Sequence, residues 1–418
     1  MKIPFNTAAR KRIVIAIAAT LAILYVGVAG RLFMASWLDT RAEVKSLERA
    51  AWLDPGNAEY RNHLGRYYSL VAHDPVQAVA QYAVAVQLNP HSARLWFDLA
   101  GAHQVLGDVA KQTAALENAI QADATTPDVA WEAANLYLVQ GEKDKALREF
   151  RVVLANDATL AEPAIQTCWR LEPDVDVLLR DVVPPHNDAY TALLDLLERK
   201  KDTAGTKKVW DALLHTHQIF ERRHSDQYFR YLIQEKDVDQ AVLVWQQTAN
   251  RFGLSAYLPS AGNLVVNNSF SLDVLNTGFD WQYHKEPGVN LTLDPSDYHA
   301  GLRSLMITFD GPGITDAGIF QLVAVQPNTM YEFTGYYKNS EMAGAGGPHF
   351  TIQDMYNEKV YYDSDELRDS GFWKSADGAF TTGPDCKLVL LHVRRLPAGS
   401  PLRGKLWIDD FHITRKSS

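Results

Sequence analysis

Two close pairs of carboxylates, Asp363/Asp365 and Asp409/Asp410, are the residues of this chain whose spacing comes nearest to acid–base chemistry. Cleaving a glycosidic bond takes two carboxyl groups held apart, one to protonate the leaving oxygen and one to attack or to activate water. Nothing around either pair selects it above acids that solvate a turn. His215 and His217 stand two apart, which on a helix sends the rings to different faces and argues against a shared metal. The chain has no Gly-rich phosphate loop ending in Lys-Ser or Lys-Thr, no His-Glu-x-x-His and no Gly-x-Ser-x-Gly. Gly344-Ala345-Gly346-Gly347 lacks the lysine and reads as a hairpin turn. The side chains point to holding rather than transforming, and the chain is expected not to be an enzyme.

The elements that would do the holding are announced by a repeat. His103 and Tyr137, Gly107 and Gly141, Leu116 and Phe150, and Ala119 and Val153 are each 34 residues apart. Leu64-Gly65 and Tyr68 stand 35 residues before Leu99-Ala100 and His103, with one residue added around His73-Asp74-Pro75. Small residues where helices touch, Gly at the turn and larger apolar side chains at helical spacing resemble the tetratricopeptide repeat, two antiparallel helices per unit. The resemblance implies a solenoid over residues 45–253 of about five or six units that holds a protein partner. Pro173, Pro184 and Pro185 disturb its second half, since proline removes a helix donor. Trp96, Trp131, Trp210 and Trp245 recur near repeat positions and are expected in the core. Arg61, Asn62, Glu132 and Asn135 sit at non-core positions of the first helices, where a peptide groove would lie.

Composition narrows the partners. The chain has 418 residues, enough for two or three compact units, and 47% are hydrophobic, which excludes wholesale disorder. A net charge of −9 with scattered basic residues argues against nucleic acid. Cys168 and Cys386 fall in different predicted domains, so neither a disulfide nor a cysteine metal site is expected.

Residues 1–12 form a basic tail with Arg10-Lys11-Arg12, and Ile13 to Gly30 carry no charge. Eighteen residues rise about 27 Å as a helix, near the lower limit for the hydrocarbon core. Leu32-Phe33-Met34 and Trp37 extend the stretch. Residues 13–38 are expected to form an uncleaved transmembrane signal anchor with its N-terminus inside, the bulk of the chain lying beyond the membrane. A cleaved secretory signal with Val28-Ala29-Gly30 as a poor processing site is the rival.

The helical pattern stops near Gly253, and residues 254–262 read as a linker. Short alternating runs follow, among them Ser304 to Phe309, Gly318 to Val323, Tyr331 to Lys338, Phe350 to Gln353, Lys387 to Arg394 and Leu406 to Asp410. Several strands with no helix between them predict an all-β antiparallel sandwich over residues 263–414. Asn263 to Phe270, Gly278-Phe279-Asp280-Trp281, His299 to Leu305 and Leu406 to Phe411 resemble, in order, the carbohydrate-binding jelly rolls of the galactose-binding-like superfamily. That resemblance implies a sugar site on a sheet face or at the sandwich edge, and a structural calcium near the first and last strands. Asp409 and Asp410 are the calcium candidates. Ser271 stands where the family usually has an acidic residue, which weakens such a site.

Alternation selects the sugar candidates. If Phe333 and Tyr337 point inward, Tyr336 points outward. If Val389, Leu391 and Val393 are buried, His392 and Arg394 share the other face. Tyr336, Gln353, His392 and Arg394, with Trp281 as an edge platform, are the ligand candidates; Trp373 and Trp407 are expected in the core. A helix-covered or solvated face without ligand is the competing assignment. The reading is an all-α solenoid followed by an all-β jelly roll, anchored in a bacterial inner membrane with its bulk in the periplasm. Such a scaffold would dock a protein and contact glycan in surface-polysaccharide assembly or export. A scaffold with a purely structural sandwich, or a glycan-processing enzyme, are the alternatives.

Overall fold

The computed structural model describes residues 8–41, 43–216, 220–311, 313–368, 370–396 and 400–416. His217 lies outside them, so its spacing from His215 has no structural counterpart. The chain divides into two compact units, residues 1–218 and 219–418.

The first unit is all helix. It holds α1 (Ala8–Asp39), α2 (Val44–Leu53), α3 (Ala58–Leu70), α4 (Pro75–Leu88), α5 (Ala93–Val105), α6 (Val109–Ala122), α7 (Pro127–Gln140) and α8 (Lys143–Asn156). After these come α9 (Ala161–Leu171), the short α10 (Val175–Val177), α11 (Asn187–Lys200) and α12 (Thr203–His215). Side-chain caps start several of them: Asn57 accepts from Glu59 N, Asp74 from Gln77 N, Asp108 from Lys111 N and Asp202 from Gly205 N. Pro75 and Pro127 occupy the first helical turn, where no donor is lost. Gly65 shows why the repeat wants a small residue. A Cβ there would lie 2.6 Å from the Tyr82 ring, so α3 and α4 approach too closely for any side chain. Ala78, Ala85, Leu99, Ala100, Leu116, Ala119, Ala133 and Phe150 fill the seams. Beyond α9 the regularity fails as the prolines forecast: α10 runs into a π-helical turn over Leu178–Val182, just before Pro184.

Helix α1 is 32 residues long with a mean hydropathy of 2.5 over its most apolar stretch, long and apolar enough to cross a membrane. Its side chains are exposed until Ala35 and Leu38, which are buried where the helix meets α2.

The second unit begins with two helices, α13 (Arg222–Gln234) and α14 (Val238–Phe252), which the repeat pattern assigns to the solenoid. The strands follow: β1 (Trp281–Tyr283), β2 (Val289–Asp294), β3 (Ser304–Gly311), β4 (Asp316–Ala324), β5 (Met330–Gly344), β6 (Gly347–Asp354), β7 (Val360–Asp363), β8 (Lys374–Thr381), β9 (Leu388–Leu396) and β10 (Leu402–Arg415). They form two five-stranded antiparallel sheets, β1-β4-β9-β6-β7 and β2-β3-β10-β5-β8. Phe270, Trp281, Ile307, Phe333, Phe350, Leu391, Ile408 and Phe411 form the core between them. The fold is therefore a helical-hairpin solenoid followed by an antiparallel β-sandwich.

The hairpin α13–α14 packs on the sandwich. Leu322 and Ala324 of β4 share a cavity of only about 40 Å³ with Val242, Trp245 and Gln246 of α14. Phe229 meets Phe279 edge-on at 5.0 Å, Tyr356 Oη donates to Ile233 O at 2.9 Å, and Lys387 Nζ reaches Asp239 Oδ2 at 2.5 Å. The segment expected to be a linker is tied down as well. Tyr257 O accepts Trp245 Nε1 at 3.0 Å, and Tyr257 Oη donates to Asp273 O at 2.8 Å.

Candidate binding surfaces

The outer face of the β1-β4-β9-β6-β7 sheet carries a transverse row. Register places Gln282, Phe320, His392, Thr351 and Asp363 side by side on five successive strands. At strand spacing the row spans about 19 Å. His392 Nδ1 lies 2.9 Å from Asp316 Oδ2, and Thr351 Oγ1 donates to Asp363 Oδ1 at 3.0 Å. Arg394 Nη1 donates to Gln353 Oε1 at 3.5 Å, on either side of His392 along the strands. His392 is 6% exposed, and its Nε2 has no hydrogen-bond partner. That nitrogen is a buried polar atom without a partner. The structure thus brings Gln353, His392 and Arg394 together on one face, whose β4 end is closed by α14.

Tyr336 and Trp281 are placed elsewhere, which corrects two expectations. Tyr336 lies on β5, in the other sheet, and cannot share a ligand with His392 across the sandwich core. Its ring is already covered: His299 stacks on it at 3.6 Å with an interplanar angle of 13°. Trp281 is 1% exposed, stacked on Phe270 at 4.8 Å, with Nε1 given to Asn267 O. It is a core residue, because the Gly278 turn brings it in beneath the first segment. Trp373 and Trp407 depart in the opposite sense. Both are half-buried on the outer face of the second sheet, their indole N–H groups held by Asp297 (3.1 Å) and Asp294 (2.8 Å). Asp294 ends β2 and Asp297 lies in the loop that follows it, and no strand alternation reveals that this loop reaches the face. Trp210 and Trp245 are buried as the repeat implies, whereas Trp96 and Trp131 are half-buried.

The calcium candidates are occupied by donors. Asp409 Oδ2 accepts His299 N at 2.7 Å and Ala300 N at 2.9 Å, and Oδ1 accepts Asp410 N at 2.8 Å. Burial pushes its pKa up to about 6. Asp410 receives Asn268 Nδ2, His299 Nδ1 and His412 Nε2. Nearby, the carbonyl of Phe270 accepts Arg303 Nε at 2.7 Å, while Ser271 Oγ accepts Leu302 N. Calcium needs six to eight free oxygens, and here a guanidinium and backbone N–H groups take them. The residues present do not fit the ion, and among the described residues no group of three or more metal-ligating side chains assembles.

In the first unit the repeat puts His63, Asp98 and Glu132 at equivalent positions of α3, α5 and α7. Asp98 accepts Asn62 Nδ2 at 2.7 Å and Arg66 Nε at 3.3 Å, while His63 Nδ1 lies 2.8 Å from Asp39 Oδ2. Glu132 is raised above the usual carboxylate range, first by desolvation and then by the charge of Asp98. Gly101 leaves open space at the centre of this face. Asn62, expected to line the groove, is fully buried and braces Asp98 from beneath, its Oδ1 unpartnered. Asn135 donates to Trp131 O in its own helix, and Arg61 to Gln81. The face is a polar shelf with carboxylates at repeat spacing.

Scanned against protein-family models and curated sequences, the chain matches none. Solved structures are similar to parts of it. One is the CBM22-1 xylan-binding domain of Paenibacillus barcinonensis Xyn10C, at 20% identity over 38% of this chain and 99% of that one, with a TM-score of 0.28. A second is PilF of Pseudomonas aeruginosa, at 15% identity over 55% of this chain and 93% of that one, with a TM-score of 0.26. A third is MamA, at 20% identity over 41% and 85%, with a TM-score of 0.24.

Proposed function

We propose that this protein is a non-catalytic adaptor, held in a bacterial inner membrane by α1, whose helical unit docks a protein and whose sandwich lies against polysaccharide on the β4-β9-β6-β7 face in the periplasm. The observation that supports the glycan reading is the transverse row of polar side chains on the outer face, Gln282, His392, Thr351 and Asp363, with the half-buried Arg394–Gln353 pair beside it. Sugar hydroxyls are both donors and acceptors, and a chain laid across the open strands would meet His392, Thr351 and Asp363 in turn. Tethering both units to one membrane raises their effective concentration for each other's targets. That suits the assembly or export of a surface polysaccharide, in which the protein positions a machine against its product.

Affinity electrophoresis of the detergent-solubilised full chain through gels containing soluble polysaccharides tests the reading. Retardation that is lost in His392→Ala and kept in Trp407→Ala supports it. No retardation by any polysaccharide, or retardation indifferent to His392, overturns it.

A further inference from the structure

The helical unit grips its membrane-length helix by the root. Helix α1 buries Ala35 and Leu38 against α2, and Asp39 Oδ2 at its last residue stands 2.8 Å from His63 Nδ1 of α3. Two helices joined by so short a turn and packed together run antiparallel. Trp52 lies eight residues into α2 from Val44, and Arg31 lies eight residues before the end of α1 at Asp39. The two therefore stand level, about 12 Å from the turn. A bilayer's hydrocarbon core takes about 20 residues of helix. Counted from Ile13, which follows Arg10-Lys11-Arg12, that span ends close to Leu32. Arg31, and with it Trp52, falls at the boundary between hydrocarbon and headgroups.

That level carries aromatic and basic side chains with nothing to hold them. Trp52 is 77% exposed and Phe33 72%. Arg31 and Arg49 are exposed and make no hydrogen bond or ion pair among the described residues. Arg49 stands one turn above Trp52 on the same face of α2. Glu48 is drawn aside to α3, where it accepts Tyr68 Oη at 3.4 Å, and Asp54 at the end of the helix is half-buried. The repeat supplies a comparison within the chain. The positions equivalent to Trp52 are Gln87, Gln121 and Ala155, all exposed, and those equivalent to Arg49 are Val84, Asn118 and Val152. Of these four helices the one beside α1 alone carries tryptophan and arginine, so the packing of the repeat does not ask for them.

We propose that the end of α2 is seated in the surface of the bilayer that α1 crosses, with the indole of Trp52 at the top of the acyl chains and the guanidinium groups of Arg31 and Arg49 on lipid phosphates. An indole joins an apolar ring to an N–H donor, which suits that boundary. A guanidinium meets phosphate through two parallel hydrogen bonds. Continuity with α1 names the occupant: a second copy or an acidic protein would have to reach this level through headgroups that already fill it. The seat fixes a height and a direction. The α1–α2 hairpin stands upright, Val71 at the end of α3 lies on the far edge, and the shelf of Asp98 and Glu132 keeps a constant distance from the membrane instead of swinging on a tether. This deepens the anchoring by α1 and rests on it, and it stands apart from the glycan face.

The test uses the full chain reconstituted in vesicles of phosphatidylethanolamine and phosphatidylglycerol. The difference in tryptophan emission between the chain and Trp52→Phe isolates Trp52. Lipid brominated near the headgroup end of its acyl chains should quench that difference at least twofold, and lipid brominated near the chain ends should quench it less. A tryptophan moved to the far edge, in Trp52→Phe with Val71→Trp, should be untouched by either lipid. Arg49→Glu, with its melting temperature followed in parallel, should halve the quenching of Trp52, and Arg49→Lys should keep most of it. A chain that fails to float with the vesicles sinks the anchoring by α1 and the seat with it. A chain that floats with Trp52 unquenched, with equal quenching at positions 52 and 71, or with quenching indifferent to Arg49→Glu overturns the seat alone.

Discussion

The indole of Trp245 lies flat over Gly278: a Cβ at that glycine would sit 2.2 Å from Cζ3 of the ring. Gly278 also holds a left-handed φ of +64°, so it answers two demands at once, a turn and a contact. The contact joins the last helical hairpin to the turn that delivers Trp281 into the sandwich core. Gly278→Ala should lower stability by more than the about 1–2 kcal/mol of backbone strain alone, because the indole must also move. Trp245→Ala should cost about 3–5 kcal/mol, the usual toll of emptying a large buried side chain. Chemical denaturation followed by tryptophan fluorescence measures both.

The same contact decides where the sandwich can be cut. A fragment of residues 263–414 leaves Leu322, Ala324, Leu264 and Phe279 without Val242 and Trp245 of α14. It should bind a hydrophobic dye and aggregate, whereas residues 219–418 should be monomeric with a single cooperative melt. Size exclusion and calorimetry on the two fragments compare them.

A pH dependence follows from Asp280. Its carboxylate is fully buried, Oδ2 accepts Leu275 N at 2.7 Å, and desolvation, offset in part by hydrogen bonds from Leu275, Trp281 and Asn267, lifts its pKa to about 6. A raised folded-state pKa means the native chain holds its proton where the unfolded chain has released it. The contribution of Asp280 to stability therefore falls as pH rises from about 4 to about 6, by up to about 3 kcal/mol for a shift of this size. Asp409, raised to about 6 by burial, acts in the same direction. Asp280→Asn should flatten the profile and raise the melting temperature at pH 7. Melting curves between pH 4 and 8 read it.

Repeat spacing and strand alternation made most of this architecture legible, because both are local signals. Gly65, Ala100 and Leu116 recur at the repeat step since each meets the next helix at the same height. Tyr331, Phe333 and Tyr337 alternate with outward residues since β5 has a core on one side only. What escaped is what depends on distant pieces. Trp245 keeps perfect repeat spacing, yet its partner is Gly278, beyond the end of the solenoid. Tyr336 faces outward as alternation requires, but a loop thirty-odd residues upstream lays His299 on it. Tyr336 and His392 both face outward, and only the sheet order reveals that they do so from opposite sheets.

The polar shelf of the helical unit separates binding from folding. Asp98 holds the buried amide of Asn62, so Asp98→Ala should destabilise the unit by about 1–3 kcal/mol by stranding that donor. Glu132 makes no hydrogen bond or ion pair within 4 Å among the described residues. Glu132→Lys should leave the melting temperature unchanged while weakening capture of a basic partner, an effect that shrinks with added salt. Pull-downs from envelope extract at two salt concentrations, set beside melting curves, tell the two variants apart.

Arg303 clamps the segment that follows Phe270. Its Nε donates to the carbonyl of Phe270, and its Nη2 meets Asp273 Oδ1 at 2.8 Å, so a fixed guanidinium binds the first segment down. A cation brought to the same oxygens would have to displace it and strip three backbone N–H groups from Asp409. Calcium at millimolar concentration, or a chelator, should therefore leave the melting temperature within a degree of its starting value. Arg303→Ala should lower it, since the Phe270 carbonyl loses a charge-assisted donor of about 1.5–3 kcal/mol. If calcium then restores the stability of Arg303→Ala, the oxygens can still accept an ion once the guanidinium is gone. If calcium stabilises the unaltered chain, the guanidinium is not what holds that corner.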